Sequence, residues 1–124
     1  MSANKDKGTR HETAVVNYLN KKLGRITEDG RFKWPIDSRN IKRQAQTGRK
    51  DVGDIWAYPF ILEAKDEARH SIPSYIRQAN QEALNAGTEY GAAVVKKRGA
   101  NIADSYVCMD LRTFARVLES LRRP

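Results

Sequence analysis

Between Gly53 and Lys65 the chain reads Gly-Asp-Ile-Trp-Ala-Tyr-Pro-Phe-Ile-Leu-Glu-Ala-Lys, which sets two acids and a lysine along what reads as one β-hairpin. Side chains alternate faces along a strand, so Glu63 and Lys65 share a face with Ile61 while Phe60, Leu62 and Ala64 point toward an apolar core. A four-residue turn Tyr58-Pro59-Phe60-Ile61, with Pro59 supplying its fixed φ, would set Trp56 opposite Glu63 and Asp54 opposite Lys65. The three polar groups then converge. Hydrolysis of a phosphodiester needs an activated water and stabilisation of charge on the phosphate and leaving oxygen, and a bound Mg²⁺ supplies both. Mg²⁺ takes oxygen ligands and keeps several waters, so Asp54 and Glu63 suffice to hold it, with Mn²⁺ as the expected substitute. Lys65 would orient or help deprotonate the water, or neutralise developing charge, and the sequence leaves these roles open. The competing reading makes Glu63 and Lys65 the solvated face of an edge strand. The Gly-Asp ahead of them and the apolar run leading in favour a site.

The flanking sequence supplies elements to position such a site. Val15, Val16, Leu19 and Leu23 recur at helical spacing from Thr9 to Leu23, and Gly24 is placed to end that helix. Residues 25–53 are polar and basic, punctuated by Gly30, Pro35 and Gly48, and read as a flexible stretch with irregular strands near Phe32–Trp34 and Asn40–Gln46. Past the hairpin, Ser71 is placed to cap a helix with Pro73 in its first turn, Ile72, Ile76, Ala79 and Ala83 as its buried stripe, and Gly87 at its end. Tyr90–Val95 reads as a strand buried on both faces, and Ser105–Met109 as another. Asp110 is expected to cap a last helix with Leu111, Phe114, Leu118 and Leu121 on one face. The sum is a single α/β domain over 1–124, a central mixed sheet flanked by helices.

Two readings of Glu12 compete. Thr9-Arg10-His11-Glu12 matches a capping box, which would use the carboxylate at the helix start. Glu12 also lies in line with Val16, Leu19 and Leu23, on the face that meets the sheet, where a lone carboxylate is costly unless something binds it. Basic clusters at Lys5-Lys7-Arg10, Arg31-Lys33, Arg39-Lys42-Arg43, Arg49-Lys50 and Lys96-Lys97-Arg98 contribute to a net charge of +8. Such charge calls for an acidic partner, nucleic acid or an anionic membrane surface. Arg49-Lys50 and Lys96-Lys97-Arg98 bracket the candidate site. Trp34 could stack on a base or nucleate a small core, and Gln78 could face solvent or the phosphate. Cys108 reads as a buried inert thiol, and His11 and His70 lack zinc-site spacing. With no bilayer-length apolar run and no apolar signal region after Met1, a cytoplasmic protein is expected.

The pattern of Asp54, eight residues, then Glu63-Ala64-Lys65, preceded by a helix bearing Glu12, resembles the PD-(D/E)xK nuclease superfamily. Within it the chain is similar to small archaeal-type and phage-encoded Holliday junction resolvases, a resemblance that runs from Lys7-Gly8 to the Ala92–Val95 strand. Gly53 stands where the superfamily often has Pro. The resemblance implies a restriction-endonuclease-like fold, a Mg²⁺-dependent DNA endonuclease acting on four-way junctions, and a homodimer. It implies Glu12, Asp54, Glu63 and Lys65 as catalytic residues, with Asp54, Glu63 and the Ala64 carbonyl on the metal. For such a substrate the basic clusters supply the candidate DNA contacts Lys7, Arg10, Arg43, Arg49, Lys50, Lys96, Lys97 and Arg98, and the resemblance adds Gln78 near the phosphate. The alternatives are a repair or restriction-like nuclease on linear or flapped DNA, or a catalytically silent DNA-binding module.

Overall fold

The computed structural model describes residues 3–45 and 53–124. In chain order it has α1 (Ala3–Lys22), β1 (Lys42–Arg43), β2 (Ile55–Ala57), β3 (Phe60–Lys65), α2 (Ile72–Ala86) and β4 (Tyr90–Val95). A 3₁₀ turn (Ile102–Asp104), β5 (Tyr106–Cys108) and α3 (Leu111–Leu121) complete it. The five strands form one sheet in the order β1-β2-β3-β4-β5, antiparallel except for the parallel β3–β4 pair. A parallel pair needs a crossover, and α2 supplies it. The expected α/β architecture, a mixed sheet flanked by helices, is what the chain forms.

Strand alternation sorts the two faces of the sheet. Ile55, Ala57, Leu62, Ala92 and Val94 gather with Val15 of α1 and Ile41, and Phe60 and Ala64 pack against them, as the alternation predicts. On the opposite face Tyr75 of α2 packs with Ala93 and Val95. Helix α2 comes down closely on β4: a Cβ at Gly91 would meet the Ala79 carbonyl oxygen at 2.2 Å. All six β4 residues are buried, as the continuous apolar run implies.

The helix ends match the punctuation in the sequence. Gly24 and Gly87 both take left-handed φ, and the Asp110 carboxylate accepts a 2.7 Å bond from Thr113 N–H at the start of α3. Three expectations need correction. Helix α1 begins at Ala3, so Thr9 lies inside it and the capping box does not form; Glu12 is left to side-chain partners. The buried stripe of α2 is Tyr75, Ala79, Glu82 and Ala83, with Ile72 and Ile76 only part-buried, because the crossover turns the helix toward Glu63 as well as β4. Last, Ser71 takes the N-cap position of α2 but its side chain makes no cap bond. The apolar stripe expected on one face of α3 is there and faces outward: Leu111 is 80% exposed and Leu121 75%, while Thr113 is buried.

Candidate active site

The hairpin closes on a two-residue turn, Tyr58-Pro59, joined by a cis peptide bond, instead of the expected four-residue loop. Its register is Ile55↔Leu62, Trp56↔Ile61 and Ala57↔Phe60, two residues from the predicted one. A shift of two preserves faces, so convergence survives although the individual opposites do not. Beyond Ile55 the ladder changes step. Leu62 is the partner of Ile55, yet its carbonyl also accepts from Asp54 N–H at 3.1 Å, two residues against one in the manner of a β-bulge. Asp54 thereby turns its carboxylate onto the free edge of β3, where Oδ2 accepts a 2.9 Å bond from Ala64 N–H. N–H and C=O of one strand residue point the same way, so the Ala64 carbonyl opens on the same edge.

Gly53 explains the absence of proline before the acid. Its φ is +89°, and a Cβ there would lie 2.2 Å from Ile61 Cγ2 and 3.0 Å from a carboxylate oxygen of Glu82. Only glycine fits both the backbone and the space.

Glu63 is 5% exposed and faces α2. Its Oε1 accepts from Gln78 Nε2 at 3.0 Å and lies 3.3 Å from Lys65 Nζ. The amine is held from behind by Tyr75, whose ring centroid is 5.3 Å away and whose hydroxyl donates to Glu67 at 2.6 Å. The other oxygen, Glu63 Oε2, is buried with no hydrogen-bond partner among the described residues. Glu12 approaches from α1 and meets Arg43 of β1, Oε1 to Nε, at 3.7 Å. Helix α1 is fixed in rotation by His11, which is buried and bonds the Val94 carbonyl through Nε2 at 3.0 Å. Asn20 fixes it further along, bonding both the N–H and the C=O of Ile41.

The three carboxylates feel one another. Burial, then the charge of Glu63, pushes Asp54 up to about 7, with Glu12 adding and the Ala64 N–H opposing. Burial likewise raises Glu12, which Arg43 opposes and Glu63 reinforces. A buried carboxylate costs several kcal/mol, roughly, when its attraction to partners is incomplete, and here the partners are fewer than the charges. A divalent cation fits this deficit: the donors are hard oxygens, and Glu63 Oε2 is open to it. Among the described residues no group of three or more His, Cys, Asp or Glu side chains is arranged to hold a metal by itself. The available set is two carboxylates with a backbone carbonyl, the number Mg²⁺ takes when waters and substrate oxygens complete its shell.

The structure brings together Asp54, Glu63, Lys65, Gln78 and, at the rim, Glu12 and Arg43. Gln78, for which a solvent-facing role was the simpler reading, bonds the central carboxylate. Lys96 and Arg98 close over the nearly buried Asp66 at 3.7 and 3.4 Å, immediately after Lys65, and stay about half exposed. Lys97 and Arg10 are exposed and Lys7 is half-buried. Arg49 and Lys50 lie outside the described residues. Tyr75, His11 and Asn20 escaped the sequence reading. For His11 a signal existed, its place four residues before Val15 on the inward face of the helix. Comparisons with protein families, curated proteins and solved structures return no match.

Proposed function

We propose that the chain is a metal-dependent DNA endonuclease of the PD-(D/E)xK type, with four-way junctions as its preferred substrate. The observation that carries this reading is the gathering of Asp54 and Lys65 about Glu63, whose Oε1 meets Lys65 and whose buried Oε2 has no hydrogen-bond partner among the described residues. Mg²⁺ bound by Asp54, Glu63 and the Ala64 carbonyl would lower the pKa of a bound water and offset charge on the phosphate. Lys65 holds a proton-bearing amine at the mouth of the site, where it positions the attacking water and faces the developing negative charge. Gln78 and Tyr75 keep Glu63 and Lys65 from turning away. Glu12, freed of any capping duty, adds negative charge at the rim that a metal would relieve. The net charge of +8 supplies affinity for the phosphate backbone without reading sequence, as suits an enzyme that recognises shape.

The same reading calls for a homodimer. Paired incisions across a two-fold junction call for two sites related by a two-fold axis. Leu111, Phe114, Leu118 and Leu121 expose a stripe at the spacing of a helix-pairing seam, and its flanks, Ala115 and Val117, carry no charge. Among the described residues no helix is long and apolar enough to cross a membrane.

A panel of labelled four-way, flapped and linear DNA, incubated with Mg²⁺, tests the proposal. Paired cuts in the four-way substrate are expected. Equal cutting of linear duplex would point to a repair or restriction-like nuclease, and binding without cutting to a silent DNA-binding module.

A further inference from the structure

Ile36 has 100% of its surface exposed, at the tip of the loop between Trp34 and Asp37. A single exposed isoleucine is ordinarily unremarked. This one is held out by an unusually dense set of bonds. The Trp34 carbonyl accepts from Asp37 N–H at 3.1 Å and from Asn40 Nδ2 at 2.7 Å. Asp37 binds Arg25 at 2.8 Å and Arg39 at 2.9 Å. Arg25 also donates to Asn40 Oδ1 and lies 4.8 Å from the Trp34 ring centroid. Asn40 is 1% exposed, and the adjoining Ile41 is pinned to α1 by Asn20. Hydrogen bonds and ion pairs thus tie together residues 25–44, part of the stretch 25–53 expected to be flexible, and Trp34 is half exposed within it.

The surroundings point to the partner. A cavity of about 240 Å³ runs from Ile36 past Asp37, Ser38 and Lys42 to Arg43, Gln44 and Trp56. Its far end borders the candidate active site without including it: Arg43 meets Glu12, and Gln44 N–H donates to the Asp54 carbonyl at 2.8 Å. Among the described residues helix α2 packs on β3 and β4, and the Lys42–Trp56 pair lies beyond them toward the β1 end of the sheet. Exposed Lys42 and Arg43 line the cavity, and Lys33 and Arg39, also exposed, lie close to Ile36 in the chain. An apolar tip, rigidly presented among cations at the edge of a cleavage site, has the chemistry of a side chain that parts stacked bases while the cations hold phosphates.

We propose that Ile36, carried by the Trp34–Asp37 loop, is a wedge that enters DNA where base stacking is already interrupted, at a branch point or nick, and so sets the strand leading into the Asp54–Glu63 site. The choice of DNA as partner rests on the nuclease reading; the wedge itself rests on the loop. Parting intact stacks is costly, so the wedge discriminates in favour of interrupted helices. That gives a small enzyme a way to prefer branched DNA with no contact to base edges.

Four-way and nicked DNA carrying 2-aminopurine beside the branch or nick, mixed with the full chain in chelator so that no cutting occurs, reads the wedge directly. Wild type should raise the fluorescence on unstacking, whereas Ile36→Ala should not. The same variant should bind these DNAs roughly tenfold more weakly, the loss of most of one buried aliphatic side chain, with affinity for intact duplex unchanged. Ile36→Leu should retain both effects. Because Ile36 is fully exposed, the melting temperature of Ile36→Ala should equal that of wild type. No rise with wild type, or an unaltered rise and affinity with Ile36→Ala, would overturn the wedge. Cleavage with Mg²⁺ but no rise would leave the nuclease reading standing without the wedge. A rise that depends on Ile36, with no cleavage under any metal, would leave the wedge standing and remove the nuclease.

Discussion

The β2–β3 end of the molecule buries charge, whereas the β5–α3 end exposes hydrocarbon. At the first, Glu63 is nearly inaccessible and Asp54 and Glu12 crowd toward it, with Lys65 and Gln78 as partial compensation. At the second, Val107 is 60% exposed, Leu111 80% and Leu121 75%, while Thr113 takes the inside of α3. Each reverses the ordinary partition of polar and apolar groups, and each costs stability in the isolated chain. The two reversals differ in what would relieve them. The carboxylates call for a cation, and the leucines call for another apolar surface.

Substitutions in the two regions should therefore act in opposite ways. Asp54→Asn and Lys65→Ala should each lower DNA cleavage by on the order of a hundredfold or more, the scale of losing a group that meets charge in the transition state. Asp54→Asn should keep or raise the melting temperature, since it removes a repelled carboxylate. Lys65→Ala should lower stability by roughly 3 kcal/mol, because Glu63 loses its cation while staying buried. Urea unfolding at pH 7 checks both; a large loss of stability in Asp54→Asn would mean that the carboxylate is a structural group.

At the apolar end Leu118 is 40% exposed, so Leu118→Asp should cost the monomer roughly 1 to 2 kcal/mol, through lost burial and a charge placed unfavourably near the helix C-terminus, while abolishing association. Light scattering of wild type at micromolar concentration should give twice the monomer mass, and of the variant once. A monomeric wild type would separate the α3 stripe from any two-fold assembly.

The pH dependence of stability sharpens the comparison with a smaller effect. Asp54 binds its proton more tightly folded than unfolded, with a folded value of about 7 against an ordinary 3.8. The folded state holds the extra proton between those values, so stability from this group is greatest below about 4 and falls as pH rises toward 7. Melting curves should show that decline in wild type, a shallower one in Asp54→Asn, and partial recovery at pH 7 to 8 when Mg²⁺ is added. Leu118→Asp should leave the slope unchanged. The least effect is expected from Lys42→Ala, which should reduce the slope of log affinity against log salt by roughly one if Lys42 meets a phosphate.

What the sequence disclosed follows the same division. Alternation in β3, the glycines after α1 and α2, the Asp110 cap and the buried run of β4 are local or period-two signals, and each was legible. The hairpin register was not, because a two-residue turn and a four-residue turn both fit Tyr58-Pro59-Phe60-Ile61. Thr9 mimicked a cap because Gly8 just before it is a poor helix former, yet the helix runs through it from Ala3. The outward stripe of α3 has the same spacing as an inward one, and which way it faces is seen only in the burial of Thr113 and the bond from the Tyr90 hydroxyl to the Arg116 carbonyl. Gln78 and Tyr75 reach the site through the crossover, 15 and 10 residues along the chain from Glu63 and Lys65, beyond the range of any local pattern.

The central claim is that the buried carboxylate pair is held for a metal that cuts DNA. A time course on a labelled four-way junction, with Mg²⁺, with Mn²⁺ and with chelator, run on wild type beside Glu63→Gln, addresses it most directly. Glu63→Gln preserves shape and removes one charge, so its fold should persist by circular dichroism. Wild type should cut opposed strands with either metal and stop in chelator, and folded Glu63→Gln should not cut. Cutting by folded Glu63→Gln at the wild-type rate, or none by wild type with either metal, would contradict the account.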